Sequence, residues 1–279
     1  MAGGFDAVVL HAAQAEKFHF WPQPELREVL AFVAAFLTAA LGSIPQQDVF
    51  QRVTAAKDAD TAVRGTLIGG LVYFCMAFVP IFLAYSALLI DPQMVGPLAA
   101  GDANESQLIL PNLILGHTPL FAQVMFFGAL LSAIMSSASG ALLAPTSLFT
   151  ENVLRPFLPH MSDRQFLLTL RLVLVSFALA VLVFALESDA SIYQMVQNAY
   201  KVTLVSAFAP LVLGLFWKRA TTAGALLSVV LGLVTWLLLE VVAPDALVPP
   251  QLVGLAASFL GMVVGSLAMR PAHAQPHHG

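Results

Sequence analysis

The chain carries little charge. Asp, Glu, Lys and Arg make up 10% of its 279 residues, against about 25% in an ordinary soluble domain. With 59% hydrophobic residues and a mean hydropathy of +0.85, it belongs in a bilayer. The single cysteine, Cys75, lies in an apolar segment, which excludes a disulfide framework and disfavours a metal site built on cysteines. The sequence has no basic run and no Gly-rich phosphate loop, so it gives no reason to expect nucleic acid as a partner. The first 24 residues lack the basic start and continuous apolar core of a secretory signal. No Ser-His-Asp or Cys-His arrangement has support, and the acids fall almost all in loops, so the pattern does not point to an enzyme. His273, His277 and His278 near the end offer at most a weak metal site on a solvated tail.

What is present is a series of long apolar runs. A membrane span needs about 20 residues. Seven stretches reach that length, near 26–45, 64–90, 118–148, 165–186, 192–216, 222–243 and 250–269. The expected fold is an all-α polytopic membrane protein with seven transmembrane helices. Pro80 and Pro145 are the expected kink points of the long second and third spans. Basic residues sort by loop: Arg52, Lys57 and Arg64, then Arg155 and Arg164, then Lys218 and Arg219, and finally Arg270. The alternate loops carry Asp91, Asp102, Glu105, Glu187, Asp189 and Asp245, with no Lys or Arg. The positive-inside rule then puts the amino terminus outside and the carboxy terminus in the cytoplasm. An outside start without a signal peptide reads like the middle of a loop, so preceding spans are expected to be missing.

Within the third span, Ser132, Ser136, Ser137 and Ser139 place four hydroxyls in eight residues. In hydrocarbon each needs a partner. On a helix the carbonyl of Ala133 lies one turn before the side chains of Ser136 and Ser137. Three neutral oxygens can converge there, and a small hard cation such as Na⁺ takes ligands of that kind. Helix–helix packing through small residues explains the same spacing. The first span ends in Leu41-Gly42-Ser43-Ile44-Pro45-Gln46-Gln47, a composition that disfavours a regular helix. It reads as a broken helix lining a cavity, or simply as a helix end.

Lys201 falls about ten residues into the fifth span, roughly 15 Å deep, near the middle of a ~30 Å core. A charge at that depth marks function by default. No acidic residue is expected at a matching depth, which leaves Lys201 either a coupling group that occupies a cation position or changes protonation, or a side chain that snorkels along its stem to an interface.

Three stretches carry a family resemblance. Gly214-Leu215-Phe216-Trp217-Lys218-Arg219 through Gly224, Ser228 and Gly232 fits the carboxy-terminal signature of the sodium:solute symporters at each constrained position. Ala133-Ile134-Met135-Ser136-Ser137 through Phe149-Thr150-Glu151-Asn152 resembles that family's sodium-site helix and its exit. Gln51-Arg52-Val53 to Lys57, followed by Ala62 and Gly65, resembles the loop after its broken helix.

The resemblance implies a fold of two inverted five-helix repeats. Residues 26–216 are then similar to the second repeat, 217–269 to two additional helices, 1–25 to an extracytoplasmic loop and 270–279 to a cytoplasmic tail. The first repeat has no counterpart here. By motif position the family's sodium ligands fall on the Ala133 carbonyl and the Ser136 and Ser137 hydroxyls, which raises the ion site above packing. The substrate cavity falls around Thr38, Leu41, Gly42, Gln46 and Gln47. Lys201 departs from the better-known sugar and proline carriers. The implied function is part of a sodium-coupled symporter taking up a small organic solute by alternating access in the plasma membrane, the inner membrane of a bacterium. Na⁺ is the coupling ion, with no other cofactor. The implied partners are the solute, lipid and the missing amino-terminal helices of the same transporter. The alternatives are a membrane sensor or interaction module, and a non-functional remnant of a truncated transporter.

Overall fold

The computed structural model describes residues 3–14, 21–92, 103–158 and 161–268. Asp102, Arg270, the tail 270–279 and its three histidines lie outside the described residues. Among the described residues the chain is helical, with no strand. In chain order the helices are α1 (Phe5–Gln14), α2 (Leu26–Gly42), α3 (Gln47–Thr54), α4 (Ala59–Ile90), α5 (Ala103–Ser106), α6 (Ile109–His117), α7 (Leu120–Phe149), α8 (Asp163–Glu187), α9 (Ile192–Thr203), α10 (Ala209–Phe216), α11 (Thr222–Val242) and α12 (Pro250–Ala268). A π-helical turn, Thr150–Leu154, continues α7, and a second, Leu204–Phe208, joins α9 to α10.

Among the described residues, six helical stretches are long and apolar enough to cross a membrane: Ala59–Ala87, Leu120–Phe157, Asp163–Glu187, Ile192–Phe216, Thr222–Val242 and Pro250–Ala268. The remaining expected span is α2. Its 17 residues rise only about 26 Å, short of a ~30 Å hydrocarbon core. The chain divides into two compact units that interleave along the sequence, Met1–Ala15 with Ala56–Ser191, and Glu16–Ala55 with Ile192–Gly279.

In the first unit, Asp58 caps α4 by accepting the Thr61 N–H at 2.7 Å. Ser162 and Gln165 close a reciprocal capping box at the start of α8. α1 lies on α4, stacking Phe5 on Phe82 with ring centroids 5.6 Å apart. α7 and α8 meet through Phe149 and Phe177, 5.5 Å apart. Pro80 and Pro145, the expected kink points, both sit inside continuous helices. Three hydroxyls near Pro145 bond back to the preceding turn: Thr146 to the Leu142 carbonyl at 2.6 Å, Ser147 to Leu143 at 2.7 Å, and Thr150 to Thr146 at 2.8 Å. The most apolar windows of α4, α7 and α8 bury nothing within the chain, as befits walls that face lipid or further helices.

The second unit is built around the π turn. Leu204, Val205 and Ala209 are fully buried there. Pro210 is the cause. It has no N–H to give the Ser206 carbonyl and its ring would strike that oxygen, so the helix widens by a residue to pass it. α11 lays a stripe of Gly224, Ser228, Gly232 and Trp236 against its neighbours, four residues apart and therefore on one face. The α12 side supplies Gly254, Ser258, Gly261, Met262 and Gly265. Small residues let the backbones approach, and Ser228 then donates to the Ser258 carbonyl at 2.7 Å. At Gly232 a methyl group would collide with the Val205 carbonyl. This packing gives the later part of the carboxy-terminal signature a physical reason: Gly224, Ser228 and Gly232 lie on the buried face of α11, whereas Gly214 is exposed on α10.

Candidate functional site

The hydroxyls of α7 divide into two sets. Ser139, Thr146 and Ser147 each bond to the carbonyl four residues back, at 2.7, 2.6 and 2.7 Å. This is how a polar side chain satisfies itself on a membrane helix. Ser132, Ser136 and Ser137 make no such bond among the described residues, and all three are exposed, as is Ala133. The three expected sodium-site residues thus share one exposed stretch of helix, with hydroxyls not spent on their own backbone.

The expected break after the first span is present. α2 stops at Gly42, a turn follows through Pro45, and α3 begins at Gln47. α9 crosses the break. Thr203 Oγ1 donates to the Gly42 carbonyl at 2.6 Å, and Gln46 Nε2 donates to Thr203 Oγ1 at 3.2 Å and to the Ala199 carbonyl at 3.4 Å. Gly42 presses on the Tyr200 carbonyl, where a side chain would not fit. Of the expected cavity residues, Gly42 and Gln46 are therefore committed to holding α9. Leu41 is half-buried and Gln47 is exposed. Thr38 is 1% exposed, and its Oγ1 has no hydrogen-bond partner among the described residues. A buried hydroxyl left so costs about 1–3 kcal/mol.

Lys201 differs from expectation. It does have an acidic partner: its Nζ lies 2.9 Å from Glu240 Oε1. The other carboxylate oxygen accepts the Trp236 indole N–H at 3.0 Å. Depth along α9 placed Lys201 near mid-membrane, and Glu240 sits two residues before the end of α11. The flexible four-carbon stem lets the Lys201 ammonium reach that carboxylate from the neighbouring helix. The two side chains are 21% and 36% exposed. Sequence reasoning missed Glu240 because a residue so near a helix end reads as an interfacial charge. The available signal was Trp236, one helical turn earlier on the same face, where an indole N–H needs an acceptor.

Comparison with known proteins matches residues 1–232 to the model of the sodium:solute symporter family. The chain is 26% identical over 217 residues to the high-affinity choline transporter 1 of Caenorhabditis elegans, covering 75% of this chain and 38% of that protein. It is 28% identical over 238 residues to the sodium/proline symporter of Haemophilus influenzae, covering 81% and 46%. It is 26% identical over 264 residues to the osmoregulated proline transporter OpuE of Bacillus subtilis, covering 87% and 49%. The chain spans less than half the length of each of these relatives. A family match over most of the chain, joined to membrane-length helices and the signature packing of α11, places the protein in the sodium:solute symporter family.

Proposed function

We propose that these residues form part of a sodium-coupled symporter that takes up a small organic solute by alternating access. α2 and α3 together act as the broken first of seven spans, α4 to α10 complete the second inverted repeat, and α11 and α12 are additional helices. The amino-terminal end faces outside. The observation that carries this reading is the pair of uncommitted hydroxyls on Ser136 and Ser137, one turn beyond the Ala133 carbonyl, on an exposed face of a family member's sodium-motif helix. Na⁺ bound there is completed by oxygens of the family's first repeat and holds α7 against it. Sodium release then frees the two repeats to rock. The unpartnered Thr38 hydroxyl beside the helix break supports a polar cavity at that break. Choline and proline, named for the relatives, set the scale of solute expected. The experiment compares proteoliposomes holding residues 1–279 alone with ones holding the same residues joined to a first repeat. Sodium-driven uptake of labelled proline or choline is expected from the second only. Uptake by 1–279 alone overturns the half-site reading.

A further inference from the structure

The second unit holds a cavity of about 250 Å³ that the symporter reading does not use. Its wall includes Arg27 from the start of α2, Lys201 from α9, Glu240 near the end of α11, Asp245 from the following loop, and Pro250 and Gln251 at the start of α12. The charged lining is thus two cations and two acids. Lys201 and Glu240 neutralise each other at 2.9 Å. Arg27 and Asp245 remain, and neither forms an ion pair among the described residues.

We propose that this cavity is a second solute site, selective for a small zwitterion that sets its carboxylate on Arg27 and its ammonium toward Asp245. Three physical points carry the proposal. The lining is net neutral but carries an uncompensated charge of each sign, so a pure anion or cation leaves one of them unmatched. Arg presents a planar fork suited to a carboxylate. Pockets that hold drug-sized ligands measure about 300–1,000 Å³, and a ≈ 250 Å³ cavity suits something smaller. In the proposed orientation the site opens outside the membrane, so it meets solute before the central cavity does.

The test uses three compounds of nearly one shape: glycine betaine, the zwitterion; 3,3-dimethylbutyrate, its anionic isostere; and choline, its cationic counterpart. Binding to the purified protein is measured by equilibrium dialysis in potassium buffer without sodium. The expected result is saturable betaine binding, with each single-charge compound weaker by about tenfold or more. Arg27→Gln and Asp245→Asn should each weaken betaine to a similar degree, while Arg27→Lys retains part of it. Both residues are exposed, so the variants keep the fold. Absence of saturable betaine binding overturns the proposal. So does equal binding of the three compounds, or binding that neither variant changes. The Ser136→Ala/Ser137→Ala protein separates this site from the symporter reading. Betaine binding should persist in it, and loss of binding there would place the ligand at the sodium-linked cavity instead.

Discussion

Lys201 and Glu240 come from two different membrane-length helices and meet at 2.9 Å, with the indole of Trp236 fixing the second carboxylate oxygen. The pair joins α9 to α11. A partly exposed pair of this kind contributes less than a buried one, yet losing one partner leaves the other charge without its ion-pair partner in a half-buried setting. Glu240→Gln should lower the stability of the purified protein by about 1–3 kcal/mol, read as a fall in melting temperature in detergent. Lys201→Gln added to it should recover part of that loss, because the two residues are coupled. Equal and additive losses would show that the pair does not act as a unit.

The same pair bears on coupling. If Lys201 changes protonation or moves during transport, Lys201→Gln alters the pH dependence of uptake. Lys201→Ala and Lys201→Gln proteins that both keep the full pH profile would remove Lys201 from the mechanism and leave it as a tie between helices.

Gly232 predicts a packing effect. Gly232→Ala drives a methyl group into the Val205 carbonyl at the π turn. The cost expected of such overpacking is about 1–3 kcal/mol. Gly214→Ala on α10 meets nothing within 4 Å and should be neutral or slightly stabilising by helix propensity. Thermal unfolding of both variants in one detergent makes the comparison. Equal effects would contradict the close approach of α11 to the π turn.

Asp58 gives a pH prediction outside the membrane spans. Hydrogen bonds from the Thr61 side chain and then its backbone hold the Asp58 carboxyl below the usual carboxylate range. A carboxyl whose folded pKa is depressed contributes stability that is fully present above the unfolded value of about 3.9 and is lost as pH falls through the lower, folded value. At neutral pH the cap is intact. Amide exchange at Thr61 and Ala62 should rise in Asp58→Ala at pH 7 and change little in Asp58→Asn, whose amide oxygen still accepts. Unchanged exchange in Asp58→Ala would show that α4 begins without this cap.

Much of the architecture was readable before the structure because length and apolarity dominate it. Lys57 on one side and Asp91 on the other bracket α4, which begins five residues before Arg64, and Gly42, Ser43 and Pro45 announce the break between α2 and α3. Residues that meet across space were not readable. Glu240 lies 39 positions from Lys201, and depth along a helix says nothing about which neighbour turns toward it. Gly42 and Gln46 looked like cavity residues by composition, yet the crossing of α9 over the break spends them on Thr203, Ala199 and Tyr200. Nor does spacing tell which hydroxyls of α7 turn back to their own helix: Ser139 does and Ser136 does not, three residues apart.

The central claim rests on Ser136 and Ser137 as sodium ligands, and the sodium dependence of uptake tests it most directly. In vesicles carrying these residues with a first repeat, Ser136→Ala and Ser137→Ala should each raise the sodium concentration for half-maximal uptake by about tenfold or more, at equal protein in the membrane. Uptake with an unchanged sodium requirement in both variants would contradict the account and return the two serines to helix packing.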